Sequence, residues 1–327
     1  MLLKSFCKAT VTLATAAFLS TSAPAFAEDF SVWKNAYRQK ALAQGVSPAV
    51  FDSAMRNVAP VQRIRDLDKK QPEKKITFAQ YRKNVVTQGR IAQGQRLYRE
   101  NKALLDQVAA QYGVQPQYIV ALWGIETSFG NNTGGYDVVT ALATLAWDGR
   151  RRDFFETELT NALKILQAGH IDQGHFKGSW AGAMGQCQFM PSSFNAYAQD
   201  FNRDGHKDIW TTLPDVFASA ANYLHKNGWQ NGMRWGREVK LNRPIDASLV
   251  SLKISKPLSF WAGQGITTVW GQPLPQENVQ ASLVQPDGKA GPTYLVYDNY
   301  KVIMDWNRST YFATSVGLLA DAIAAAP

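Results

Sequence analysis

The sequence is poor in cysteine, in histidine and in long apolar runs. Its two cysteines are Cys7 and Cys187, and Cys7 falls inside an expected leader. With one cysteine remaining, no internal disulfide can form, so apolar burial has to hold the fold together. Histidine numbers four, and none stands beside Cys187 in sequence, so that cysteine reads as a small buried side chain, not a nucleophile. Beyond residue 19 no apolar run is long enough for a transmembrane helix. No internal repeat or low-complexity tract is visible. Acidic residues are also outnumbered, 26 against 35 Lys and Arg.

What is present begins with a leader. Lys4 and Lys8 precede an apolar stretch over 9–19, and Ala25, Phe26 and Ala27 give a small-residue cleavage site. That pattern predicts a signal peptide over 1–27, a mature start at Glu28 and export to the periplasm. Cys7 precedes the apolar stretch, so it is not placed like a lipid-carrying cysteine. An uncleaved anchor is the competing reading, but no stop-transfer pattern follows. Removing two lysines from the formal +9 leaves +7. A basic balance suits an anionic partner, in the periplasm peptidoglycan or a membrane surface, with nucleic acid not expected there.

Helical spacing dominates the first two thirds. Residues 31–58 read as two helices, with Gly45 ending the first and Ser47-Pro48 opening the second. Residues 60–80 are charged and read as an irregular linking segment. Further helices are predicted over 87–100, 104–112 (closed by Gly113), from Pro116 through Glu126, 153–168 and 213–227. After Gly236 the runs 239–241, 249–254, 266–269, 279–283 and 294–304 are β-rich, separated by Pro, Gly and Asp-Gly turns. A last helix is predicted over 310–325. The expected class is α+β, mainly α. The expected partition is a helical N-terminal region (28–100), a core (101–236), a small β-rich domain (237–305) and a C-terminal segment returning to the core (306–327).

Glu126 is the leading catalytic candidate. Leu122, Trp123 and Ile119 lie one and two turns back on its helix face, so its surroundings are apolar. An apolar environment makes ionisation costly and raises a carboxyl pKa, which suits an acid that must donate to a leaving oxygen. Position alone leaves a second reading, a half-exposed Glu near a helix end with its head in water. A second constellation is the oxygen-rich run Asp200, Asn202, Asp204, with Gly205 at the sixth place and the His206 carbonyl at the seventh. This is an EF-hand pattern, with a polar Asx-rich turn as the alternative. Thr211 stands at the twelfth place, where a bidentate Glu closes such loops, and Asp215 is the expected closing ligand. Ca²⁺ is the expected structural ion, with Na⁺ or no ion as alternatives.

Two segments carry a family resemblance. Residues 126–130 (Glu-Thr-Ser-Phe-Gly) resemble the catalytic Glu motif of the lytic murein transglycosylase B family, glycoside hydrolase family 103. The runs 182–185 (Gly-Ala-Met-Gly) and 188–193 (Gln-Phe-Met-Pro-Ser-Ser) resemble its second and more specific motif. The likeness continues through 221–224 and 307–309 and spans roughly 33–323. It implies a lysozyme-like catalytic core in a soluble, monomeric, periplasmic enzyme acting on peptidoglycan glycan strands, with cell-wall synthesis or lysis proteins as further partners. It implies no cofactor for the chemistry, Glu126 as sole acid and base, and 1,6-anhydroMurNAc ends formed without water.

The resemblance also implies substrate contacts at Tyr81, Arg151, Arg152, Ser179, Gln188, Phe189, Tyr223 and Asn307. Core packing is the alternative for Phe189, Met190 and Phe194, and a solvated loop for 150–152. Trp306 stands where that family commonly carries Tyr, so no hydroxyl contact is expected there. A lysozyme-type hydrolase would need a second carboxylate, from Asp137, Asp148 or Asp153. A silent wall-binding or scaffold protein is the non-enzymatic alternative, and the intact Glu126 argues against it.

Overall fold

Local caps set many of the helix boundaries. In the computed structural model, which describes residues 29–70 and 76–325, Asp29 accepts from Ser31 N and opens α1 (Phe30–Ala43). Ser47 caps α2 (Pro48–Ala54), whose first residue is the proline. A short α3 (Gln62–Lys69) follows, then α4 (Phe78–Val85) and α5 (Gln88–Glu100), capped by Thr77 and Thr87. Next come α6 (Lys102–Tyr112), ended by left-handed Gly113, and α7 (Pro116–Thr127), again begun by proline. The expected leader over 1–27 lies outside the described residues.

Strand β1 (Tyr136–Asp137) leads into α8 (Val138–Asp148), and α9 (Arg152–Gln167) returns to β2 (Lys177–Gly178), which pairs with β1. Helices α10 (Pro191–Tyr197) and α11 (Leu213–Lys226) complete this part. A five-stranded antiparallel sheet comes next: β3 (Gly236–Leu241), β4 (Lys256–Pro257), β5 (Ile266–Thr268), β6 (Gln280–Val284) and β7 (Thr293–Val296), in the order β4-β6-β7-β3-β5. Helix α12 (Leu258–Gly263) lies between β4 and β5. The chain ends with α13 (Asp298–Trp306) and α14 (Thr310–Ala324).

Helix α7 is the centre. Residues 118–124 are all buried, because α5, α6, α11 and α14 all pack against it. A helix apolar on every side has to be enclosed. Helix α1 joins the same core through Trp33, whose indole N–H donates to Glu156 Oε1 (2.9 Å), and through Tyr37, stacked on Trp33 at 5.3 Å. Burying each such ring contributes about 2 kcal/mol. Strands β6 and β7 lie between two apolar clusters. Val284, Tyr294 and Val296 face the main core, while Leu283, Leu295 and Tyr297 face a smaller one around Trp261. Alternate residues point to opposite faces, so burial of both faces makes every residue of β7 buried.

Three sequence expectations give way here. The segment 60–80, expected to be irregular, contains α3, a charged helix that buries Ile64 and Asp68. Residues 249–254 form no strand; a 3₁₀ turn over Ala247–Leu249 and bends replace it. The run 294–304 is split: β7 ends at Val296 and α13 starts at Asp298. Asn299 decides that break. Its fully buried amide accepts from Gln230 N and donates to the carbonyls of Gln230 and Met233, which pins the helix start.

Candidate active site

Glu126 lies in the last turn of α7. The helix then ends in three consecutive left-handed residues, Ser128, Phe129 and Gly130. Two of them are not glycine, which costs conformational energy and needs a surrounding that holds the turn. Thr127 supplies part of it: its hydroxyl accepts from Gly130 N (3.0 Å) and lies 3.2 Å from the Gln186 carbonyl. Gly130 itself faces Gln186, and a Cβ there would run into the Gln186 side chain. The Phe129 ring turns back over α7 and packs edge-on against Trp123 at 5.4 Å.

The glycine-rich segment is thereby locked to α7. Gln186 accepts the Trp123 indole N–H at 2.7 Å and donates its own amide to Trp210 O at 2.8 Å. Ser179 organises the same turn, its Oγ accepting from Ala183 N at 3.0 Å. Gln188 is left-handed, and its amide donates to the carbonyls of Gly185 (2.9 Å) and Thr133 (3.1 Å). So its N–H groups hold two loops together, and its Oε1 has no protein donor among the described residues.

A small internal void beside Glu126, with room for about one water, is lined by Ile119, Leu122, Trp123, Cys187, Phe217 and Trp306. Asp148 is paired with Arg65 (2.5 Å), and Asp137 caps α8 through Thr140 N (2.8 Å). Burial pushes the Glu126 carboxyl up to about 7, and a hydrogen bond from Trp306 partly offsets this. That bond runs from Trp306 Nε1 to Glu126 Oε1 at 2.8 Å. An indole N–H thus fills the place where no hydroxyl contact was expected. Cys187 is buried with its thiol donating to Val216 O, and burial drives its pKa upward, which leaves it inert.

An aromatic wall stands over the carboxyl. The ring of Phe189 packs on Trp306 at 5.2 Å and on Tyr223 at 5.8 Å, and Tyr223 meets Trp306 at 4.8 Å. The Tyr223 hydroxyl donates to Asp305 O at 2.7 Å, which fixes the end of α13 and with it Trp306 and the exposed Asn307. Tyr81 stands on α4 beside Tyr311 at 5.8 Å; burial raises its pKa, and so does the nearby Glu126 charge. The structure adds two residues that sequence reading did not single out. Arg90 reaches from α5 to Ser128 Oγ (3.3 Å), and Tyr311 flanks Tyr81. Neither belongs to a motif, so no sequence signal marks them. Phe194 is core.

Arg151, expected at the substrate, pairs within the protein with the buried Asp68 carboxylate at 2.9 Å, with Arg150 on the other oxygen at 3.1 Å, and its side chain stays half-exposed. Its guanidinium also covers the Phe155 ring at 4.8 Å. The buried carboxylate of α3 attracts these cations because it has few other partners. Arg152 opens α9 beside Gly149.

The loop 200–208 folds as a turn of oxygen acceptors. Asp200 accepts from Asp204 N (3.1 Å) and Gly205 N (2.9 Å), Asn202 from Asp204 N (3.2 Å), and Asp204 from His206 N (2.8 Å). Asp215, expected to close the loop as a ligand, is tied to it by backbone hydrogen bonds. It is fully buried, with Phe201 N on one oxygen (2.7 Å) and Asp208 N on the other (2.8 Å). Among the described residues no three His, Cys, Asp or Glu converge closely enough to hold an ion. The donors are all oxygens, and Gly205 supplies the left-handed turn, so the set suits a hard cation such as Ca²⁺ in kind.

Comparison with known proteins gives consistent matches. The family described as "Transglycosylase SLT domain" matches residues 29–321. Membrane-bound lytic murein transglycosylase B of Escherichia coli is 35% identical over 251 residues, covering 76% of this chain and 68% of that protein. The crystal structure of SltB3 from Pseudomonas aeruginosa in complex with NAG-NAM-pentapeptide is 42% identical. It covers 91% of this chain and 80% of that one, with a TM-score of 0.89. The Escherichia coli lytic transglycosylase Slt35 in complex with calcium is 30% identical, covering 89% and 92%, with a TM-score of 0.75.

Proposed function

Given that the chain belongs to the transglycosylase SLT domain family, and is a lytic transglycosylase of peptidoglycan with a lysozyme-like, mainly helical fold, we propose that Glu126 alone performs both proton transfers of its reaction. The observation that carries this is one carboxyl raised to about 7 by burial, while Asp137 caps α8, Asp148 is paired with Arg65 and Asp153 is exposed at the start of α9. A hydrolase of the two-carboxylate kind needs a second acid across the scissile bond.

In this reading Glu126 gives its proton to the oxygen joining MurNAc C1 to GlcNAc, and the C1–O bond breaks. The MurNAc acetamido group stabilises the cationic centre. The C6 hydroxyl oxygen of the same ring then bonds to C1, and its proton passes to the Glu126 carboxylate. The acid is regenerated, no water is consumed, and the product ends in 1,6-anhydroMurNAc. Because the nucleophile is tethered to the reacting carbon, its effective concentration is high. Protein surrounding the carboxyl holds it protonated near neutral pH, which is what the first transfer requires.

The half-buried rings of Tyr223 and Trp306, backed by the buried Phe189, with the free Oε1 of Gln188 and the exposed Asn307, support a glycan groove at Glu126. The SltB3 complex with NAG-NAM-pentapeptide supports the same class of ligand. Calcium is proposed as a structural ion on Asp200, Asn202, Asp204 and the His206 carbonyl. Its support is the oxygen-only donor set and the calcium complex of Slt35. Bound there, it would supply charge to hold the loop that leads into α11, and no chemistry. Periplasmic residence rests on the leader pattern of 1–27; no helix among the described residues is long and apolar enough to cross a membrane.

The test is digestion of purified sacculi followed by mass spectrometry. Products bearing 1,6-anhydro ends from the wild type, and none from Glu126→Gln, are expected. Reducing MurNAc ends in their place would overturn the reading.

A further inference from the structure

We propose that Trp306 is a positioning residue that decides which oxygen of Glu126 carries the catalytic proton, holding Oε1 as a permanent acceptor and reserving Oε2 for substrate. The inference rests on Glu126 being the acid and base.

The argument starts from what an indole can do. Its N–H is a donor and offers no acceptor. A protonated carboxyl has one hydroxyl oxygen and one carbonyl oxygen, and the carbonyl is the better acceptor. Trp306 Nε1 stands 2.8 Å from Oε1. The acid form with its proton on Oε2 keeps this bond intact, while the form with its proton on Oε1 weakens it. After the proton is given away both oxygens accept, and the N–H remains on Oε1, now in a charge-assisted bond. Oε1 therefore has the same partner in both halves of the cycle. Oε2 gives the proton to the leaving oxygen and takes it back from the C6 hydroxyl. A hydroxyl in place of the indole could rotate, accept from a proton on Oε1, and remove the distinction.

The indole is also held in place. Its ring is packed between Phe189 and Tyr223. It is the last residue of α13, whose final turn is fixed by the Tyr223 hydroxyl on Asp305 O. Among the described residues Trp306 is the only hydrogen-bond partner of the Glu126 carboxyl. The bond favours the ionised form and so opposes burial, which prevents the acid from becoming too weak to release its proton.

The experiment is a ¹³C titration of glutamate-labelled protein, with the Glu126 signal assigned by its loss in Glu126→Gln. In Trp306→Phe the midpoint should rise by about one pH unit, because a hydrogen bond to the charged form is lost. In Trp306→Tyr the midpoint should return towards the wild type while kcat stays several-fold lower, since a hydroxyl donates but also accepts. Should Trp306→Phe fail to fold, benzothienylalanine at 306 keeps the ring shape and lacks only the N–H. An unchanged midpoint in Trp306→Phe or in the benzothienyl protein overturns the proposal, and so does full recovery of kcat in Trp306→Tyr. The titration needs no substrate, so its outcome is separate from that of the product assay.

Discussion

Trp123 donates its indole N–H to Gln186 Oε1 across 2.7 Å, and this buried bond ties the helix that carries Glu126 to the glycine-rich turn that faces it. Sixty-three residues separate the two in sequence. Both groups are buried, so neither has water as an alternative partner. Gln186→Leu leaves the buried Trp123 N–H unpaired, which costs about 1–3 kcal/mol, while the part-buried Trp210 carbonyl can turn to water. Urea unfolding of this variant should show a loss of roughly 2 kcal/mol with unchanged slope. A loss under 1 kcal/mol would mean the bond does not hold the segments together.

Glu126 gives a pH dependence with a defined sign. Its folded pKa of about 7 lies above the ordinary carboxylate value of about 4.3. Between these values the folded protein keeps a proton that the unfolded chain has released. Stability therefore falls as pH rises from about 4.3 to about 7, and levels off beyond. Activity follows the acid form, so kcat/KM should be flat below about pH 7 and decline about tenfold per unit above it. Glu126→Gln should lose at least about 10³-fold in rate. It should also melt higher than the wild type at pH 8, because it has no charge to bury. A variant that melts lower at pH 8 would contradict the burial argument.

Asp68 and Arg151 separate a structural role of the arginine cluster from substrate contact. Asp68→Ala removes a buried carboxylate from two half-exposed guanidinium groups, which can turn to water. The expected loss is about 2 kcal/mol, below the range for fully buried pairs. Arg151→Ala should lower the melting temperature while leaving KM for a muropeptide within about twofold. A tenfold rise in KM would return Arg151 to the substrate, since about 1.4 kcal/mol of binding would then depend on it.

The calcium proposal is checked by thermal shift. Millimolar Ca²⁺ should raise the melting temperature of the wild type, by mass action on the folded state. Asp204→Ala should abolish that rise. The same increase in both proteins would place the ion elsewhere.

Local chemistry was legible in the sequence. Ser47-Pro48, Gly113 and Pro116 act within one helical turn of themselves, so the ends they set for α2, α6 and α7 were readable without a fold. The apolar neighbours of Glu126 at one-turn spacing were readable for the same reason, and they foretold its raised pKa. The β-rich look of 249–254 and 294–304 misled, because β-branched and aromatic residues also suit buried helix faces and tight turns. Tertiary packing decided between them, through the Asn299 amide in the second case.

Composition and spacing thus determined a mainly helical chain built around the buried helix that carries Glu126. Only the tertiary structure decided what surrounds the acid. Trp306 lies 180 residues from Glu126 in sequence, and the distance between them is set by the packing of α13, α14 and α7. The same is true of Asp68 and Arg151, 83 residues apart. Helix caps and apolar stripes depend on neighbours a few residues away. A hydrogen-bond partner for a buried polar group depends on which distant element happens to cover it.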